Sequence, residues 1–218
     1  MILLGHRGAR KYAPENTIAA FEQALEHGCD GFEFDVRITA DRQAVVCHDP
    51  KLCGLTIART TRQKLLESAA KKSKEISSLE QVLRFGQRAF LNVELKTPGA
   101  EELLLELMKK HPATKGIIVS SFLPKVVVRL HELGSECDVG IICGNHRELL
   151  RWKRFPAEAV MLHRGLATQR LIEEIKSSGK RVFVWTVNSV REMKKFAELD
   201  VDGIISDDTK LLVKTLGA

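Results

Sequence analysis

Short apolar runs alternate with longer stretches of mixed polarity from one end of the chain to the other. The runs are rich in Val, Ile, Leu and Phe and read as strands over residues 2–5, 31–37, 90–95, 116–120, 138–142, 159–162, 181–185 and 203–205. Residues 44–47 form an extra short strand, or the second arm of a hairpin from 31–37. The stretches between read as helices with start signals: Thr17 before 18–25, Ser78 before 79–85 and Thr168 before 171–176 each offer a hydroxyl to otherwise unpaired N–H groups. Asp208 is placed to cap the last helix. Gly28, Gly134 and Gly179 fall just past helical runs, where a left-handed residue turns the chain toward the next strand.

This alternation predicts about eight βα units, an α/β class with a parallel sheet, in a single domain over residues 1–218. No tandem repeat and no Pro/Gly/Ser linker divides it. Residues 50–76 break the rhythm after the second βα region and end in a lysine-rich stretch, which predicts a small inserted subdomain or lid.

The segment 31–36, Gly-Phe-Glu-Phe-Asp-Val, carries the most chemistry. Successive strand side chains point to opposite faces, so Glu33 and Asp35 share one face and Phe32, Phe34 and Val36 the other. Covering helices take the apolar face, which leaves both carboxylates pointing inward if the sheet closes. Ionised groups removed from water need a cation or hydrogen bonds. In residues 91–96, Asn92, Glu94 and Lys96 likewise share a face, adding a third carboxylate and an ammonium. Three acidic oxygens suit Mg²⁺ or Ca²⁺, with Mn²⁺ a third candidate, better than zinc, which favours nitrogen and sulfur. The plainer reading is a polar face neutralised by ion pairs. His6 follows the first strand and His48 follows 44–47, so both imidazoles emerge where strands give way to loops, as general acid or base groups do in barrel enzymes.

Composition narrows the partners. Hydrophobic residues are 44% and charged residues 28% of the chain, which fits a globular protein. The apolar opening 1–4 is cut at once by Gly5, His6 and Arg7, so neither a signal-peptide core nor a membrane span is expected, and the expected location is cytoplasmic. Five cysteines without a Cys-x-x-Cys pair disfavour a disulfide framework or a zinc ribbon. A net charge of +6 favours an anionic substrate, whereas one Tyr and two Trp poorly supply the stacking platform of a nucleic-acid binder.

His6-Arg7-Gly8, Pro14-Glu15-Asn16-Thr17, Glu33-Phe34-Asp35-Val36, His48-Asp49 and Asn92-Val93-Glu94-Leu95-Lys96 resemble, in order and spacing, the signature of the glycerophosphodiester phosphodiesterase family. Trp185-Thr186-Val187-Asn188 and Asp202-Gly203-Ile204-Ile205-Ser206-Asp207 extend the resemblance over nearly the whole chain. It implies a (β/α)8 TIM barrel. It also implies one divalent cation on Glu33, Asp35 and Glu94, with His6 and His48 as the acid–base pair and Arg7 and Lys96 on the phosphate. Glu15 and Asn16 would orient Arg7 or a metal ligand, Trp185 would wall the glycerol end, and Ser121, Asn188 and Asp207 would stand at the same rim. Two departures are visible. Family members often carry a glycine in the turn before the second histidine, whereas 39–43 reads Thr-Ala-Asp-Arg-Gln, for which an ordinary turn is expected; and after His48 the usual Arg-Thr pair is replaced within 52–56.

The implied reaction is hydrolysis of a small-molecule glycerophosphodiester to sn-glycerol 3-phosphate and an alcohol, without nucleic-acid partners or stable membrane insertion. Alternatives are a lysophospholipase D-like activity on lysophospholipids, which needs an apolar groove, and an inactive phosphodiester-binding barrel, which would bind without turnover. A nuclease would instead cleave single-stranded nucleic acid.

Overall fold

The computed structural model describes residues 1–150 and 152–217. Its strands are β1 (Ile2–His6), β2 (Gly31–Ile38), β3 (Ala44–Val46), β4 (Lys51–Leu52), β5 (Leu55–Thr56), β6 (Phe90–Leu95), β7 (Ile117–Ser121), β8 (Asp138–Cys143), β9 (Ala159–His163), β10 (Arg181–Trp185) and β11 (Gly203–Ser206). Parallel ladders run β1-β11-β10-β9-β8-β7-β6-β2, and β1 also pairs with β2, so the sheet closes on itself as the (β/α)8 barrel. β3 lies antiparallel on β2 through Val36 and Val46, which makes residues 44–46 the return arm of a hairpin.

Alternation along the strands sorts two cores. Phe32, Phe34 and Val36 face outward into the helix layer with Phe21, whose ring stacks on Phe32 at 4.2 Å. Leu4, Phe90, Ile118, Ile142, Ala159, Met161, Phe183 and Ile205 fill the inside of the ring. The barrel is therefore a packed core with its polar groups gathered at one end, as expected where strand C-termini face the loops.

The expected caps are in place. The hydroxyls of Thr17, Ser78 and Thr168 and the carboxylate of Asp208 accept from the N–H groups of Ala20, Gln81, Leu171 and Leu211. The boundaries differ from expectation in three respects. β1 and β9 run one residue past the last apolar side chain, to His6 and His163, because backbone pairing continues where hydrophobicity stops, and β8 takes in the buried Cys143. Gly116 precedes β7 with φ +102°, so it turns the chain and does not start the strand. The helix after Ser78 is α-helical over Leu79–Leu83 and tightens to a 3₁₀ turn over Arg84–Gln87.

Residues 50–76 form a small unit of their own: the β4–β5 hairpin, a 3₁₀ turn Ile57–Arg59 and the helix Arg62–Ala70. Ile57, Leu65, Ala69 and Ile76 pack around Val45 as a satellite cluster. The turn at 39–43 is less ordinary than expected. Arg42 sits at φ +57°, a left-handed conformation stabilised where Thr39 both donates to and accepts from Gln43. Among the described residues, no helix is long and apolar enough to cross a membrane. The five cysteines are free thiols, and Cys29 and Cys143 are buried.

Candidate active site

The inward carboxylates of β2 and β6 converge. Glu33, Asp35 and Glu94 are each no more than 8% exposed, and each offers an oxygen within 4.8 Å of the others. The parallel register sets Glu33 beside Asn92 and Asp35 beside Glu94, so adjacent strands deliver the acidic groups at one level. Lys96 Nζ lies 2.9 Å from Asp35 Oδ1 and 2.5 Å from Glu94 Oε1, and Arg7 Nε is 3.3 Å from Asp35 Oδ2. Glu33 receives the Arg7 backbone N–H at Oε2 (2.9 Å), but its buried Oε1 has no hydrogen-bond partner.

Burial, and then the charges of Asp35 and Glu94, push the Glu33 carboxyl well above the usual carboxylate range. Burial raises Glu94 as well, against the pull of Lys96. Burial alone would raise Asp35, but Lys96, Arg7 and the Asn16 amide hold it below its ordinary value. The site thus holds more carboxylate than its two cations neutralise. A buried unpartnered oxygen beside two further carboxylates fits a hard divalent cation.

His6 ends β1 opposite Glu33 in the ladder. Its Nδ1 is 2.7 Å from Asp207 Oδ1, which fixes Nδ1 as the protonated nitrogen and leaves Nε2 facing inward, 3.9 Å from Glu33 Oε2. Burial lowers the His6 pKa, with the Asp207 hydrogen bond opposing. Asp207 is itself held by Asn188, whose amide donates to Oδ2 at 2.7 Å and whose oxygen accepts the Asp207 backbone N–H. His48 lies in the loop beyond β3; its Nδ1 meets Asp49 Oδ1 at 2.9 Å, and its carbonyl accepts from Arg37 Nε.

The first loop acts as a brace. Arg7 and Asn16 adopt left-handed backbone angles of +58° and +60°, and the Asn16 N–H bonds to the Arg7 carbonyl. Asn16 then grips Asp35 twice, donating from Nδ2 to the carboxylate (2.8 Å) and accepting the backbone N–H at Oδ1 (3.2 Å). Glu15 takes the Arg7 guanidinium at 2.9 and 3.1 Å and that of Arg10 at 3.0 Å.

His6, Arg7, Glu33, His48, Glu94 and Lys96 line one cavity of about 220 Å³ together with Asn92. Trp185 forms part of its wall, its indole N–H bonded to the Met161 carbonyl and its ring edge-on to Phe122 at 5.7 Å. Of the three expected rim residues none lines this cavity, and Asp207 reaches it only through its bond to His6. Ser121 is fully buried on the outward side of β7, its hydroxyl donating to the Leu95 carbonyl and accepting the Leu123 N–H, because alternation turns Ser120 inward instead. Asn188 lies behind Asp207 and does not line the cavity. The apolar walls Phe122, Ile142, Met161 and Ile205 were not anticipated. Projecting the in–out alternation of β8, β9 and β11 would have found three of them. Phe122 lies in a loop and carries no such signal.

The chain matches the model of the glycerophosphoryl diester phosphodiesterase family over residues 6–211. It is 31% identical to a glycerophosphodiester phosphodiesterase of Caldanaerobacter subterraneus, covering 97% of this chain and 96% of the relative. It is 30% identical to one of Bacillus altitudinis, with the same two coverages. The crystal structure of a glycerophosphodiester phosphodiesterase from Thermotoga maritima superposes with a TM-score of 0.83 at 27% identity, covering 98% of this chain and 97% of that one.

Proposed function

The chain belongs to the glycerophosphoryl diester phosphodiesterase family, and from that premise we propose that it hydrolyses glycerophosphodiesters to sn-glycerol 3-phosphate and an alcohol, using a divalent cation. The observation that carries this reading is the convergence of Glu33, Asp35 and Glu94, two of which, Glu33 and Glu94, line one cavity with two histidines and two fixed cations.

Arg7 and Lys96 bind the phosphate oxygens and stabilise the charge that grows on them, and their ion pairs with Asp35 hold both in position beforehand. His6 and His48 form the acid–base pair: one takes a proton from the attacking hydroxyl and the other gives one to the departing alkoxide. Asp207 keeps the His6 proton on Nδ1, so Nε2 is the nitrogen that exchanges protons with the substrate. Glu33, Asp35 and Glu94 would hold the divalent cation, which would supply further positive charge to the phosphoryl group. The Trp185, Phe122 and Met161 wall receives the glycerol carbon chain.

The reading is tested by stripping the protein with chelator, restoring Mg²⁺, Ca²⁺ or Mn²⁺, and following glycerol 3-phosphate release from a panel of glycerophosphodiesters. Release that stops with chelation and returns with metal is expected. Release that chelation does not slow would remove the cation from the reaction, and no release with metal bound would remove the hydrolase.

Cation binding also couples to pH, because ligand oxygens must be ionised. Glu33 retains its proton above the usual carboxylate range in the ion-free protein, so binding expels a proton and affinity rises with pH. The sign for stability is the reverse. A raised native pKa stabilises most below the unfolded value and is lost as pH rises through the native one, so the ion-free protein weakens where the cation helps most. Calorimetry with Mg²⁺ in buffers of different ionisation enthalpy, and melts with and without Mg²⁺ between about pH 5 and 8, measure both. Cation affinity independent of pH would take Glu33 out of the ligand set.

A further inference from the structure

The two histidines are held in different ways. His6 is the last residue of β1, set opposite Glu33 in the ladder, and its ring is fixed by Asp207, which Asn188 holds in turn. His48 has no such wall around it. β1 accompanies β2 only as far as Glu33, and β3 pairs with β2 above that point, over Val36–Ile38. β3 itself ends at Val46, and the last main-chain bond from this arm to β2 runs from the Cys47 N–H to the Asp35 carbonyl at 2.9 Å. Beyond it, among the described residues, the His48 ring is bonded to Asp49, the next residue in the chain, whose side chain is 73% exposed. An anchor one residue away moves with the loop it would have to steady.

The loop has one tie to the barrel wall. Alternation puts Arg37 on the inward face of β2 with Glu33 and Asp35, about 7 Å beyond Asp35 toward the mouth. Its Nε donates to the His48 carbonyl at 2.8 Å. Arg7 and Lys96 are committed to carboxylates, whereas Arg37 enters no ion pair among the described residues. Nor does Arg37 line the inner cavity, so the phosphate is left to the other two cations. A guanidinium bonded to a carbonyl is charge-assisted and its planar fork is directional, which suits it to holding a main chain in one place.

We infer that Arg37 is a positioning residue, which ties the main chain of His48 to β2 and thereby fixes where the imidazole stands over the diester. The inference rests on the hydrolase reading above, in which His48 is one of the acid–base pair. Proton transfer requires the imidazole within hydrogen-bond reach of the reacting oxygen, and a displacement of about 1 Å costs roughly 100-fold in rate.

The test compares Arg37→Met, which keeps an unbranched stem without the donor, with Arg37→Lys, which keeps a charged donor, in the metal-loaded protein. Arg37→Met should lower kcat roughly 10- to 100-fold while KM stays within about threefold, and Arg37→Lys should recover part of the loss. Since Arg37 acts through His48, the same substitution in a His48→Ala background should change kcat by less than about threefold. Amide hydrogen exchange reads the tether without turnover: it should rise over residues 47–49 in Arg37→Met and stay unchanged in β1 and β6. Thermal melts check that each variant folds, and Arg37→Gln repeats the comparison if the apolar stem destabilises β2. A loss that persists undiminished in the His48→Ala background, a rise in KM in place of the fall in kcat, or unchanged exchange over 47–49 overturns the inference. Absence of turnover by the unaltered protein, with the exchange difference intact, would instead overturn the hydrolase reading and leave Arg37 as the tether of this loop.

Discussion

His6→Ala lowers kcat for diester cleavage roughly 10²- to 10⁴-fold, the range associated with losing a general acid or base. The substitution removes the imidazole between Asp207 and Glu33 but leaves the β1 backbone pairing with β2 and β11 untouched. The fold should therefore survive. Asp207→Asn provides the finer comparison, since it keeps the shape but no longer dictates which ring nitrogen bears the proton. It should lose less than His6→Ala and shift the pH–rate profile. Steady-state release of glycerol 3-phosphate, with thermal melts of each variant, reads both. A loss below tenfold for His6→Ala in a folded protein would leave the proton transfer to other groups.

Gly31→Ala should prevent the barrel from closing properly, at a cost above about 4 kcal/mol, which is exceptional for a single methyl group. Gly31 pairs with Phe90 where β2 meets β6, and an added Cβ would stand 1.8 Å from the Phe90 carbonyl oxygen and 2.7 Å from its backbone carbon and nitrogen. The obstruction is main chain, so no rotamer change relieves it. Gly134→Ala and Gly179→Ala make the useful contrast. Nothing lies within 4 Å of either added methyl, so only the left-handed backbone opposes the change, at about 1–2 kcal/mol. Urea unfolding of the three variants tests the ordering, and a Gly31→Ala protein as stable as the other two would contradict the register.

The eight βα units and the shared face of the carboxylates were legible because both follow from alternation, whereas closure into a barrel was implied only by the family resemblance. Glu33 and Asp35 must share a face when Phe32, Phe34 and Val36 need the helix layer, and the structure puts them there. The same rule, applied to β7, would have turned Ser121 away from the cavity; the family rim pattern pointed the other way. What alternation does not encode is pairing across long separations. The bonds from Asp207 to His6 and from Asn16 to Asp35 join segments whose encounter depends on the closed ring; the resemblance implied that Asn16 orients Arg7 or a metal ligand, but for Asp207 only a place at the rim was readable. The left-handed angle at Arg42 carries no compositional signal, since the residue there is neither Gly nor Asn. The Cys53-Gly54 turn of the β4–β5 hairpin, with φ of +54° and +87°, was similarly concealed in a stretch without apolar alternation.

The satellite cluster of the inserted unit has a consequence for descent. Ile57, Leu65, Ala69 and Ile76 cover one another around Val45, on the strand appended to the ring, and the unit is otherwise tied on by polar bonds such as Ala40 N–H to the Thr60 carbonyl, Arg62 N–H to Asp41 and Ile18 N–H to Glu75. Lineages can therefore lengthen, shorten or recharge residues 50–76 without renegotiating the strand register that aligns the carboxylates. Change is absorbed in one module while the paired backbones of β2 and β6 keep the carboxylates at one level in the other.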